Sequence, residues 1–138
     1  MAQTKLGEQP ANTNGSLPEI NSTAPDFILS STDLKEIRLR DYAGKNVVLN
    51  IFPSVDTSTC ASSVREFNKR AASLPDTVVL NIAKDLPFAM KRFCATEGIK
   101  HVFLASDFRN LGFSKTYGIE LVDSAFASAP SAPTACPG

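Results

Sequence analysis

Of the three cysteines in the chain, Cys60 occupies the position with the most chemical consequence. It follows Val47-Val48-Leu49-Asn50-Ile51-Phe52, a largely apolar run that reads as a buried strand, and Pro53, which stops it. Four residues then turn, and Thr57 opens a helix that carries Cys60 in its first turn. Backbone N–H groups there have no intrahelical acceptor and the helix dipole is positive, so both effects favour thiolate over thiol. An ordinary thiol, with a pKa of about 8.5, is mostly protonated at neutral pH. The placement therefore predicts a nucleophilic sulfur.

The other candidates are weaker. Cys94 falls on the apolar side of a later helix, where a buried, inert thiol is the usual reading. Cys136 stands beside Pro137 in an Ala/Ser/Pro-rich tail and reads as an incidental exposed thiol. No Cys-x-x-Cys is present, and the single histidine, His101, begins an apolar run instead of joining a ligand pair. These residues make a poor metal site, and no cofactor is expected.

The elements that must position Cys60 are legible as periodicity. Cys60, Val64, Phe67, Ala71 and Leu74 form one helical stripe, with Asp56 or Thr57 as cap and Pro75 as the stop. Val78 to Ala83 is a second continuous apolar run, of the kind found in strands covered on both faces. Asp85-Leu86-Pro87 predicts a helix start, with Asp85 as cap and Pro87 in the first turn; Leu86, Met90, Phe93, Cys94 and Glu97 continue it and Gly98 ends it. His101 to Ala105 predicts a third strand, and Asp107 to Tyr117 a further helix closed by Gly118. Ahead of these, Ala24 to Leu29 starts the domain, Ile37 to Leu39 is a short second run, and residues 41–45 turn into the central strand. Strand and helix alternating in this way mean an α/β fold with parallel pairing.

The totals set the outer bounds. The chain has 138 residues, enough for one domain with a substantial core. Its 14 basic and 14 acidic side chains cancel, so there is no charge excess to draw nucleic acid or an anionic membrane surface. No apolar run approaches the roughly 20 residues of a membrane span. Residues 1–20 contain no apolar secretory core, and the expected location is cytoplasmic. Those residues are polar, without periodicity, and read as a loosely held arm. Residues 21–122 form the domain. Residues 123–138 carry no charge after Asp123 and read as a disordered tail.

Pro53, Thr57 and Cys60 match Pro-x-x-x-Thr-x-x-Cys, and here the sequence resembles the peroxiredoxins. The longer match is to the bacterial thiol peroxidases, the atypical two-cysteine branch. It is carried by Tyr42-Ala43-Gly44-Lys45, Leu49 to Ser54, Asp56-Thr57, Cys60 to Arg65, Phe67-Asn68, Asp85 to Ala89, Arg92-Phe93-Cys94, Glu97-Gly98, Phe108-Arg109-Asn110 and Tyr117-Gly118. The resemblance spans residues 21 to 122 and implies a thioredoxin-like fold. Members usually open with a β-hairpin, whose apolar alternation is not visible in residues 1–20.

By that resemblance Cys60 is the peroxidatic cysteine, attacking hydrogen peroxide or an organic hydroperoxide and becoming a sulfenic acid. Thr57 bonds the sulfur or the peroxide through its hydroxyl, and Pro53 shields the sulfur from water. Cys94 is the resolving cysteine, closing an intramolecular disulfide that thioredoxin reduces. A homodimer is common in the family, with Phe108-Arg109-Asn110 a candidate contact. The family arginine near the sulfur, and the usual C-terminal strands and helix, have no match after Asp123, which reads as a truncated or altered C-terminus. Arg65 and Arg109 are not substitutes by register. Two readings follow: a thioredoxin-dependent thiol peroxidase, or a catalytically impaired relative serving as a redox sensor or partner-binding fragment.

Overall fold

The structure, a computed structural model, describes residues 3–6, 9–109 and 111–122. Expectations for residues 123–138, Cys136 included, lie outside the described residues. The chain runs β1 (Gln3–Leu6), β2 (Gln9–Asn12), β3 (Ile28–Ser31), β4 (Glu36–Arg38), a 3-10 turn (Leu39–Tyr42), β5 (Asn46–Ile51), α1 (Ser58–Ala71), β6 (Thr77–Ala83), α2 (Pro87–Glu97), β7 (Phe103–Ser106) and α3 (Phe113–Thr116).

The predicted strand runs become one mixed sheet in the order β4-β3-β7-β6-β5. β5, β6 and β7 are parallel, and β3 lies antiparallel to both β7 and β4. Alternation along the parallel strands explains why the runs looked continuously apolar. Val78, Leu80 and Ile82 enter one core with Phe27, Leu29, Ala105, Phe113 and Tyr117. Val79 and Ala83 enter the other, where α1 supplies Val64 and α2 supplies Met90. Both faces are covered, as a parallel sheet requires.

Two asparagines interrupt these runs and are paired with each other. Asn50 and Asn81 sit opposite in the β5–β6 register, and Asn50 Nδ2 donates to Asn81 Oδ1 at 2.9 Å. Asn81 Nδ2 donates onward to the Phe103 carbonyl at 3.2 Å, and Asn50 Nδ2 also reaches Ser63 Oγ on α1 at 3.1 Å. Buried amides need such partners. Here they tie the Cys60 helix to the sheet.

Several local expectations are corrected. The N-terminal segment is not a loose arm: β1 and β2 pair as an antiparallel hairpin, with Ala11 and Thr13 buried. Thr13 bridges Leu121, and Asn14 N–H donates to the Glu120 carbonyl at 2.9 Å. Gly118, with φ of 67°, lets this segment pass: a Cβ there would collide with the Ser16 backbone. α1 stops at Ala71 and leaves Leu74 exposed. β7 begins at Phe103, so His101 lies before the strand and is exposed. The helix expected from Asp107 shrinks to α3, because the Asp107 carboxylate turns to accept from Ser114 Oγ and Gly112 takes φ of 99°.

Candidate active site

The site is built where β5 hands over to α1. Phe52 and Val55 are buried in the α1/α2 core and fix both ends of the connecting turn, with Pro53 half-buried between them. Thr57 is the N-cap residue, so Ser58, Thr59 and Cys60 are the first three helical positions. The expected side-chain cap is absent. The Thr57 hydroxyl instead donates back to the Ser54 carbonyl at 3.0 Å, and Asp56 is exposed. The N–H groups of the first turn, which form the positive end of the helix dipole, thus have no side-chain cap.

Cys60 is half-buried, packed against the apolar cluster that also holds Phe52, Val64, Met90 and Leu104. Its carbonyl accepts from Ser63 Oγ at 2.8 Å, and Ser63 in turn accepts from Asn50. Cys94 packs against the same cluster from α2, so the two helices bring both thiols to one side of the sheet. Both are free. Burial raises the Cys94 pKa above the ordinary thiol value.

Asp85 has a role that its sequence position concealed. Leu86, not Asp85, is the N-cap of α2, and Pro87 takes the first helical position as expected. The Asp85 carboxylate crosses instead to the Cys60 turn, accepting from Ser54 Oγ at 2.7 Å and from Val55 N–H at 2.8 Å. Its own carbonyl accepts from Ser106 Oγ on β7. The turn carrying Pro53 and Thr57 is therefore hung from the end of β6 by a carboxylate. The only sequence signal for this is the Asp–Ser pairing across strand ends, which a capping reading obscures.

The profile of the Redoxin family matches residues 19–134. The chain belongs to that family. A thiol peroxidase of Corynebacterium glutamicum is 49% identical over 121 residues, covering 88% of this chain and 73% of that protein. A thiol peroxidase of Mycobacterium bovis is 50% identical over 127 residues, covering 92% and 76%. Among solved structures, a peroxiredoxin-like protein from Aquifex aeolicus superposes with a TM-score of 0.81 at 28% identity, over 94% of this chain and 75% of that one. A thiol peroxidase from Chromobacterium violaceum gives the same TM-score at 20% identity and shows the shared fold. This redoxin is thus an oxidoreductase of the peroxiredoxin type, with the thioredoxin-like fold expected from its element order.

Arg65 and Arg109, the two arginines of the matched blocks that register sets apart from the family arginine, are engaged with carboxylates. Arg65 forms a two-pronged pair with Glu97, Nε to Oε2 at 2.9 Å and Nη2 to Oε1 at 3.1 Å. Arg109 lies 3.8 Å from Glu36. Among the described residues no cluster of three or more His, Cys, Asp or Glu could hold a metal ion. Nor is any described helix long and apolar enough to cross a membrane.

Proposed function

We propose that this chain is a cytoplasmic thiol peroxidase in which Cys60 is the peroxidatic and Cys94 the resolving cysteine. The observation that carries the reading is the placement of Cys60 in the uncapped first turn of α1, directly after a buried strand, with Cys94 against the same apolar cluster. The Cys60 thiolate attacks the terminal oxygen of a hydroperoxide. The O–O bond breaks, the departing alkoxide or hydroxide takes a proton, and Cys60 becomes a sulfenic acid. First-turn N–H groups stabilise the charge on the departing oxygen. With its proton committed to the Ser54 carbonyl, the Thr57 hydroxyl acts toward the peroxide as an acceptor, taking the O–H of a hydroperoxide and orienting it. Pro53 screens the sulfur from water.

The Cys94 thiolate then attacks the Cys60 sulfur and hydroxide leaves, giving a Cys60–Cys94 disulfide and, after protonation, water. A disulfide requires Cα atoms within about 7 Å, and in this reading the first turn of α1 unwinds to form it. Thioredoxin returns both thiols by exchange. The test is stopped-flow oxidation of the reduced protein with one equivalent of hydrogen peroxide, followed by mass mapping. The expected product is a Cys60–Cys94 link that thioredoxin reduces; Cys60→Ser consumes no peroxide, and Cys94→Ser is oxidised once without recycling. Slow oxidation scattered over all three cysteines would refute the assignment.

A further inference from the structure

The two thiol-bearing helices are joined by a clamp that begins just behind Cys60. Ser63 is held by Asn50, and Arg65 grips Glu97 with both prongs of its guanidinium. One turn further, Asn68 Oδ1 accepts from the N–H groups of Lys100 and His101, at 3.0 and 2.8 Å. Glu97 lies one turn beyond Cys94 on α2, and residues 100 and 101 follow in the same connection to β7. Among the described residues, every side-chain hydrogen bond or ion pair from α1 to another element falls at or after Ser63. The turn containing Ser58, Thr59 and Cys60 has none. Its attachment is the apolar contact of Cys60 itself.

We infer that the Arg65–Glu97 pair is a positioning device for the disulfide step: it fixes the body of α1 to α2 so that unwinding stops short of Ser63 and delivers the oxidised Cys60 sulfur to Cys94. The inference rests on the assignment of Cys60 and Cys94 proposed above. A bidentate guanidinium–carboxylate pair fixes orientation as well as distance, which a lysine would not do. The hydrogen bond from the Arg65 guanidinium also holds the Glu97 carboxyl below its usual range. Without the pair, unwinding spreads further along α1 and the sulfenic acid samples a larger volume. Condensation with Cys94 then slows. The sulfenic acid instead meets a second peroxide, which transfers an oxygen to give the sulfinic acid and water.

The readout is therefore a partition, disulfide against sulfinic acid, measured by mass spectrometry of the full chain at a fixed excess of hydrogen peroxide. The rate of sulfenic acid formation is followed separately by trapping. Glu97→Gln and Arg65→Lys are expected to leave sulfenic acid formation unchanged and to lower the partition about threefold, the effect available to one partly exposed ion pair. The exchanged double variant, Arg65→Glu with Glu97→Arg, restores it. Variants that only melt earlier, with the wild-type partition, would show a merely structural pair and overturn the inference. So would a partition that falls in the singles and is not recovered in the exchange. A wild-type protein that forms no Cys60–Cys94 bond would refute the function itself, and that result precedes any variant.

Discussion

Asp85 offers the sharpest quantitative test of how the Cys60 turn is held. Its carboxylate makes two bonds to that turn, at 2.7 Å to Ser54 Oγ and 2.8 Å to Val55 N–H. Hydrogen bonds to a charged group contribute about 1.5–3 kcal/mol each, and a half-buried carboxylate belongs at the low end. Asp85→Ala removes both and leaves the N–H of Val55, a residue only 3% exposed, without its acceptor. The expected cost is about 3 kcal/mol, which would lower Tm by roughly 10 °C in a domain of this size. Asp85→Asn keeps one acceptor for Val55 and an amide that the Ser54 hydroxyl can accept from, so only the charge assistance is lost, about 1 kcal/mol.

The same free energy limits the effect on chemistry. If the turn is what places Thr57 and Cys60, releasing it lowers the rate of Cys60 oxidation by at most about 150-fold for Ala and about fivefold for Asn. The assay is stopped-flow peroxide consumption by the reduced variants beside their thermal melts. An alanine variant that melts earlier but oxidises Cys60 at the wild-type rate would refute the argument, showing that Asp85 braces the fold without ordering the turn. Equal losses for Asn and Ala would show that the charge carries the whole effect and that the neutral hydrogen bonds contribute nothing.

Three further outcomes are expected. Thr57→Val removes the hydroxyl bonded to Ser54 and should slow Cys60 oxidation at least fivefold, about 1 kcal/mol, with little loss of helix stability because that hydroxyl does not cap α1; an unchanged rate in stopped flow would remove Thr57 from the mechanism. Burial raises the Cys94 pKa, so Cys94 stays protonated to higher pH than a free thiol, and disulfide formation should rise about tenfold per pH unit past the usual value of about 8.5; a rapid-mixing profile that levels off below pH 8 would contradict this. Phe113→Ala empties a site where the ring meets Phe27 at 5.2 Å and Tyr117 at 4.9 Å, and should cost about 3–5 kcal/mol in denaturant unfolding; a cost under about 1.5 kcal/mol would show that this face repacks freely.

The parallel strands, α1 and α2 were legible because burial on two faces and burial on one leave different periods in the chain. Val78 to Ala83 had to be a strand with both faces covered, and Cys60, Val64, Phe67 and Ala71 had to line one side of a helix. The hairpin of β1 and β2 left no such trace. Gln3-Thr4-Lys5-Leu6 and Gln9-Pro10-Ala11-Asn12 hold few apolar side chains, and the hairpin is fixed by backbone bonds and by docking on residues 120–122, a hundred positions away. The same limit explains the short α3. Its spacing suits a longer helix, but a carboxylate bonded to Ser114 and a left-handed Gly112 prevent one.

The candidate site divides along a similar line. Cys60 was found because a helix N-terminus is a local feature, written in the strand, proline and threonine that precede it. The groups that hold it are not local. Asp85 reaches Ser54 across 31 positions and Glu97 reaches Arg65 across 32, and each is a residue type with an ordinary explanation nearer at hand, a cap in one case and a solvated helix end in the other. The two contacts bracket Cys60 and act on opposite sides of it. Asp85 steadies the turn that enters the first helical residues, and Arg65 with Glu97 steadies the helix that leaves them. Between these supports lies the first turn of α1, which among the described residues has no side-chain polar tie to another element, and under the proposed assignment it is the stretch that both presents the sulfur to a peroxide and unwinds to meet Cys94. A helix bound uniformly along its length would serve the first step and obstruct the second. One released as a whole would lose the orientation on which both steps depend.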